Sequence, residues 1–163
     1  MDPEEIDRPE RIVRVGERPA NPDGLVGYVP GVFDMFHIGH LNIIRRSAER
    51  CDWLVAGVVV DDVVVLMKGQ PPIVPLEERI EIVSSNRYVD EAIEDGSADK
   101  RKAWERRPFD IIFKGADWKD TVKGRRLEEE MGSIGVRVEY LPYTAHTSSS
   151  LLRETLTRLA KSL

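Results

Sequence analysis

GVFDMFHIGH, at residues 31–40, joins a short apolar segment to a segment with helical periodicity. The apolar residues 25–29 that precede it predict a buried strand. After it, apolar side chains recur every three or four positions from Ile38 to Ala48, which predicts a helix over residues 37–51. A strand, a glycine-containing turn and a helix in this order are typical of a parallel α/β sheet.

The alternation of strands and helices continues to the end of the chain. Further strands are predicted at residues 53–60, 88–93, 109–113 and 136–141, and further helices at residues 75–86, 122–131 and 148–163. We therefore expect an α/β fold with a single Rossmann-like, doubly wound parallel sheet of about five strands and flanking helices. Ligands bind such sheets at the carboxyl ends of the strands, where the strand order reverses.

The first 23 residues differ in composition from the rest. They contain four prolines and charges of both signs, which predicts a flexible N-terminal arm over residues 1–23 and a folded domain over residues 24–163. The apolar residues Ile12, Val13 and Val15 leave a short edge strand open as the alternative.

Composition excludes several classes of protein. The 163 residues, 41% of them hydrophobic, suit one globular domain, and the net charge of −5 argues against a general nucleic-acid binder. The single cysteine, Cys51, excludes an intrachain disulfide and a cysteine-based zinc site. No apolar run is long enough to cross a membrane and no signal peptide is visible, so we expect a cytoplasmic protein without membrane insertion.

His37 and His40 form the clearest candidate site. Their spacing places both imidazoles on one face at the start of a helix, beside unpaired backbone N–H groups that attract anions. Gly39 between them lets a phosphate approach the backbone closely. Half of a metal site is the alternative, with His146 or a carboxylate as a further ligand. Phosphate binding is favoured because the pair follows a glycine turn directly after a strand.

The segment from Gly31 to His40 resembles the signature of the cytidylyltransferase-like nucleotidyltransferases, and the likeness extends from about Leu25 to about Leu156. Within that family the chain is most similar to the glycerol-3-phosphate cytidylyltransferase type. It is slightly less similar to the adenylyltransferases that act on heptose phosphate or flavin mononucleotide. The resemblance implies that His37, His40 and Lys68 are catalytic, with Lys68 also contacting the second substrate.

The resemblance also implies a set of binding residues. The implied nucleotide-binding residues are Gly31, Val32, Phe33, Gly39, Gly115, Asp117, Trp118, Thr144, His146, Ser148 and Ser149. Arg87 and Lys100 are implied to bind the phosphorylated substrate, and Arg79 is either a phosphate contact or half of a surface ion pair. The chain departs from the family pattern at Gln70, where a second lysine is usual, and at Tyr143, where an arginine is usual. His146, which replaces a glycine, is a candidate substitute for that arginine.

The resemblance implies transfer of a nucleotidyl group, expected to be cytidylyl, from a nucleoside triphosphate to a small alcohol phosphate such as glycerol 3-phosphate or to a phosphonate. Mg²⁺ is expected to accompany the triphosphate, and no all-protein metal site is visible. The expected partners are CTP, or ATP in the adenylyltransferase alternative, and the phosphorylated acceptor. A non-catalytic nucleotide-binding domain is the other alternative. The segment from Arg87 to Asp90 resembles a subunit-contact element and implies a homodimer.

Overall fold

The computed structural model of the protein describes residues 12–14, 24–144 and 146–162. The strands are β1 (Ile12–Arg14), β2 (Val26–Gly31), β3 (Trp53–Val59), β4 (Glu91–Asp95), β5 (Ile111–Gly115) and β6 (Arg137–Leu141). The helices are α1 (Ile38–Ala48), α2 (Asp61–Lys68), α3 (Leu76–Ser84), α4 (Lys100–Arg106), α5 (Val122–Gly132) and α6 (Ser149–Ala160). A single 3₁₀ turn covers Ala116–Trp118.

The strands form one sheet in the order β1-β4-β3-β2-β5-β6. Strands β2 to β6 are parallel, which confirms the predicted doubly wound α/β fold. Strand β1 pairs antiparallel with β4 at the sheet edge, so the short strand that the sequence left open is present. The rest of the predicted arm, residues 1–11 and 15–23, lies outside the described residues.

The two largest hydrophobic clusters lie on opposite faces of the sheet, and a third, smaller one joins the end of β3 to α2. On one face Leu54 and Phe113 pack in a cluster with Ile44 of α1 and Ile80 of α3. On the other face the apolar residues cluster with α4 and α5, including Met131. All seven residues of β3 are buried because this central strand is covered on both sides, as its continuous apolar sequence predicts.

The strand order reverses between β2 and β5, and the two strands separate there. Their pairing covers only Gly27 with Ile111 and Tyr28 with Ile112, although each strand continues for three more residues. The unpaired carboxyl ends open a crevice between the loop after β2 and the 3₁₀ turn after β5. Ligands of parallel sheets bind at such a crevice.

Two helices differ from expectation. Helix α4 was not predicted, because this short, highly charged segment buries only Lys100 and Ala103 and so carries no apolar period. Helix α6 is present, but none of its residues is buried, and Leu151, Leu156 and Leu159 of its apolar stripe are about half exposed. No helix in the described part of the chain is long and apolar enough to cross a membrane.

Candidate active site

His37 caps the first helix. Its backbone is extended, with φ −139° and ψ 178°, and its Nδ1 accepts a hydrogen bond of 3.0 Å from the backbone N–H of Gly39. The backbone N–H of His37 donates in turn to Nδ1 of His40 over 3.3 Å. A Cβ atom at position 39 would lie 2.8 Å from Cε1 of His37, so glycine is required for this ring position. The pair is therefore a reciprocal cap built from imidazoles.

These hydrogen bonds determine which ring nitrogens carry protons. Because Nδ1 of each imidazole accepts, the neutral rings carry hydrogen on Nε2. Nε2 of His37 lies 3.3 Å from Oγ of Ser149, whose hydroxyl donates to the backbone oxygen of Asp34 over 2.7 Å. Among the described residues Nε2 of His40 has no hydrogen-bond partner, so its N–H group is available to a ligand. The two rings stack with centroids 3.9 Å apart.

Both histidines are neutral at pH 7. Burial lowers the pKa of His37, and it lowers the pKa of His40 to about 3, with His37 and Lys68 adding to the shift and Asp34 opposing it. The imidazoles therefore present neutral N–H donors at the positive end of α1. An anion bound beside them would favour their protonated forms.

A cavity of about 310 Å³ at the crevice brings most of the predicted site together. Its lining includes His37, Gly39, His40, Lys68, Gly115, Asp117, Trp118, Thr144, Ser148 and Ser149. Ser148 caps α6 by accepting from the N–H of Leu151, and Ser148 and Ser149 bring the amino end of this helix to the cavity. Asn42 of α1 donates to Oγ1 of Thr144 over 3.1 Å and holds the loop before α6. We call this space the nucleoside cavity.

A larger cavity of about 690 Å³ adjoins it and shares His40, Lys68 and Ser149. Predicted residues Val32 and Phe33 line it, and Phe33 has φ 54° and meets the His40 ring edge-on at 5.4 Å. Gly31 lies against the Phe33 ring, and a Cβ atom at position 31 would come within 2.9 Å of Cζ of Phe33. We call this space the phosphate cavity.

Arg153 lines the phosphate cavity, and the sequence analysis did not single it out. Its guanidinium donates to Asp34 over 3.1 Å and to the backbone oxygen of Pro71 over 2.9 Å, and it lines the phosphate cavity. Asp34 also accepts from the backbone N–H groups of Ile73 and Val74, which lowers its pKa despite burial. The spacing of four residues between Ser149 and Arg153 was the available signal, because it places both on one face of α6.

Lys68 ends α2 at the junction of the two cavities. Gly69 follows with φ 75°, a conformation that glycine adopts without strain. Burial lowers the pKa of Lys68, and the nearby Asp34 opposes that shift. The two departures from the family pattern also face these spaces: Gln70 lines the phosphate cavity and Tyr143 lines the nucleoside cavity.

Three other predicted residues lie apart from this group. Arg87 is exposed and donates a hydrogen bond to the hydroxyl of Tyr88. It precedes the amino end of β4, whereas the crevice lies at the carboxyl ends of the strands. His146 is exposed and lines neither cavity. Lys100 is buried in an ion pair with Asp95 and lines a third cavity.

Arg79 is a structural residue, which corrects both interpretations of it. The side chain is 1% exposed and forms an ion pair with Asp61. It also donates to three backbone oxygens, those of Val32, Val59 and Val74. The guanidinium therefore holds the loop after β2 against the end of β3, and it is available neither to a ligand nor to solvent.

Comparison with known proteins identifies relatives. The sequence model of the family described as "Cytidylyltransferase-like" matches residues 28–155. FAD synthase of Pyrococcus abyssi is 38% identical over 119 residues, which are 71% of this chain and 78% of that protein. Ethanolamine-phosphate cytidylyltransferase of Arabidopsis thaliana is 46% identical over 68 residues, which are 42% of this chain and only 16% of that protein.

Among solved structures, the lipopolysaccharide core biosynthesis protein of Thermoplasma volcanium superposes with a TM-score of 0.64 at 25% identity. The alignment covers 76% of this chain and 99% of that one.

Proposed function

Because the chain belongs to the cytidylyltransferase-like family, whose members transfer nucleotidyl groups, we propose that it joins a nucleoside triphosphate to a small phosphate or phosphonate acceptor and releases pyrophosphate. The observation that carries the proposal is the shared border of the two cavities. His40, Lys68 and Ser149 line both of them, so a group bound there is open to reactants from two sides.

The α-phosphorus would lie at this border. An oxygen of the acceptor phosphate attacks it in line, the bond from the α-phosphorus to the bridging β-oxygen breaks, and pyrophosphate leaves with that oxygen. No covalent intermediate with the protein is required, because positioning and charge stabilisation suffice. The Nε2–H of His40 and the ammonium of Lys68 would stabilise the charge that develops on the phosphorus oxygens.

The start of α6 would hold the triphosphate tail. Its free N–H groups and the hydroxyls of Ser148 and Ser149 favour anions, and Arg153 adds a fixed positive charge in the phosphate cavity. His37 would exchange its long contact with Ser149 for an oxygen of the α-phosphate, where charge develops during the reaction. The nucleoside would occupy the nucleoside cavity, against Gly115, Asp117 and Trp118.

Mg²⁺ enters this proposal as part of the nucleotide substrate. In the described residues no three His, Cys, Asp or Glu side chains are grouped to hold a metal ion. Asp34 is engaged by Arg153 and by two backbone N–H groups. A magnesium ion coordinated by the triphosphate and water is therefore the form that the site fits.

Two nucleotides are candidate donors. The segments from Arg87 to Asp90 and from Gly115 to Trp118 favour CTP through the family resemblance. The match to a relative named FAD synthase over 78% of that protein favours ATP, since the product in that name contains adenine. Calorimetric titration of both nucleotides with Mg²⁺ ranks them; tighter binding of CTP supports cytidylyl transfer, and equal or tighter binding of ATP supports adenylyl transfer.

Activity is tested by measuring pyrophosphate release with four nucleotides and a panel that includes glycerol 3-phosphate, sugar 1-phosphates, flavin mononucleotide and a phosphonate. We expect acceptor-dependent release with one nucleotide, abolished in Lys68→Met and unchanged in Lys119→Met. Lys119 is an exposed lysine outside both cavities and is the matched control. Tight nucleotide binding without pyrophosphate release from any acceptor would support a non-catalytic binding domain instead.

A further inference from the structure

A third cavity, of about 350 Å³, lies on the other side of Trp118. We call it the lysine cavity, and its charged and aromatic lining consists of Lys100, Lys114, Trp118, Lys123, Arg126 and Glu130. Four of these side chains are basic and one is acidic, and Ala98 and apolar side chains from α2 and α5 complete the lining. Nothing in the proposed positions of the nucleotide uses this space.

Two of the four basic side chains of the lysine cavity have an ion-pair partner in the described part of the chain, and two do not. Lys100 forms its ion pair with Asp95, and Arg126 forms one with Glu130 over 2.7 Å. Within the described part of the chain, the ammonium groups of Lys114 and Lys123 have neither a hydrogen-bond acceptor nor an ion-pair partner. The Lys114 Nζ lies over the indole ring of Trp118, 4.1 Å from its centroid.

The half-buried position of Lys114 is unfavourable for a lysine. Burial and then the charge of Lys100 lower its pKa to about 7; Asp95 and Asp117 oppose the shift, and Lys123 adds to it. An anion in the cavity would supply the missing acceptor and restore the charged form. An ammonium group kept without an acceptor, inside a basic cavity, indicates that the acceptor comes from a ligand.

The lysine cavity adjoins the reaction site. Trp118 lines both the lysine cavity and the nucleoside cavity. Met67 lines the lysine cavity, and the next residue, Lys68, lines the other two. A molecule whose phosphate is bound at Lys68 would reach Lys114 by passing Met67.

We propose that the acceptor of the nucleotidyl group carries a second anionic group, a phosphate or a carboxylate, which binds to Lys114 and Lys123 in the lysine cavity. This inference rests on the proposed nucleotidyl transfer and specifies its acceptor class. The same charges disfavour an acceptor with a cationic tail, such as ethanolamine phosphate, because like charges repel in a partly desolvated cavity.

Matched pairs of acceptors test the proposal. Glycerol 3-phosphate is compared with 3-phosphoglycerate, which adds a carboxylate, and glucose 1-phosphate with glucose 1,6-bisphosphate, which adds a phosphate. In a pair that reacts, we expect kcat/KM to be about 10- to 100-fold higher for the acceptor with the second anion, the value of one charge-assisted hydrogen bond. A preference in the first pair identifies a carboxylate as the second anion, and a preference in the second pair identifies a phosphate.

Variants assign that preference to the cavity. Lys114→Met should remove most of it, Lys114→Glu should reverse it in favour of ethanolamine phosphate, and Lys119→Met should leave it unchanged. Equal kcat/KM within the reacting pairs, or a preference that survives in Lys114→Met, would overturn the inference while leaving nucleotidyl transfer intact.

A binding measurement decides the case in which no acceptor of the panel reacts. The pKa of Lys114 is followed by NMR of ¹⁵N-labelled lysine side chains, assigned with Lys114→Met, while inorganic phosphate is added as the probe. We expect phosphate to raise this pKa by more than one unit. An unchanged pKa would refute the anion site; a raised pKa without any pyrophosphate release would retain the anion site and reject the proposed function.

Discussion

His37 has two roles in the structure, and replacing it by Ala or by Asn separates them. The imidazole accepts from the Gly39 N–H as the cap of α1 and presents Nε2–H to the start of α6. Ala removes both functions, whereas Asn is among the best N-cap residues and removes only the imidazole donor.

The expected magnitudes follow from these contacts. Loss of the cap in His37→Ala should cost about 1 kcal/mol of unfolding free energy, which lowers Tm by about 2–4 °C in a chain of this size. His37→Asn should melt close to the unmodified protein. Both variants should lose about 10²- to 10³-fold in kcat, with a much smaller effect on nucleotide binding, because a donor that acts on developing charge contributes in the transition state.

Steady-state kinetics, calorimetric titration of nucleotide and thermal melting of the two variants provide the test. Near-normal turnover in His37→Asn would mean that His37 acts only as a helix cap. Normal melting of His37→Ala would refute the capping argument.

Four further predictions concern pH, the phosphate cavity, His146 and assembly. The pKa of His40 is lowered from 6.5 to about 3, so the folded protein binds fewer protons than the unfolded chain between these values. Unfolding free energy should therefore fall as pH drops from about 6.5 to about 3, by at most about 1.4 kcal/mol per pH unit, and urea titrations of His40→Gln should show a shallower fall. Arg153→Met should weaken binding of the triphosphate more than that of the monophosphate, since it removes a charge from the phosphate cavity; equal losses in calorimetry would place the tail elsewhere. His146→Ala should leave triphosphate affinity unchanged because this side chain is exposed outside both cavities, and a marked loss would show that it turns inward on binding. Light scattering should show a homodimer, and Arg87→Glu should shift it towards monomer; a monomer of the unmodified protein at micromolar concentration would contradict the subunit-contact interpretation.

The parts of the fold that the sequence predicts well are those with a strong hydrophobic signal. The continuous apolar run of β3 and the periodic face of α1 gave these elements close to their bounds in the structure. Strands β4 and β5 each begin two or three residues later than predicted, because apolar side chains in the preceding loops extend the signal. The charged helix α4 has no such hydrophobic signal and was not predicted.

The residues of the candidate site also divide into those with a recognisable sequence signal and those without one. The two histidines, which line the nucleoside cavity in the structure, were singled out because a short motif contains its own chemistry. Arg153 and Lys114, which line cavities in the structure, were not singled out, since a single basic residue on a helix or at a strand end resembles a solvated side chain. Only the tertiary structure reveals that Arg153 reaches Asp34, or that the ammonium of Lys114 lies over Trp118 beside an open cavity.

The central claim is that an acceptor phosphate oxygen attacks the α-phosphorus of a nucleoside triphosphate at the border of the two cavities. The direct test uses an acceptor whose phosphate oxygens are labelled with ¹⁸O, with ³¹P NMR and mass spectrometry of the products. The account predicts pyrophosphate without label and a nucleotidyl product whose bridging oxygen is ¹⁸O, in amounts lost with Lys68→Met. Release of nucleoside monophosphate and pyrophosphate with the acceptor unchanged, or no turnover of any nucleotide, would contradict it.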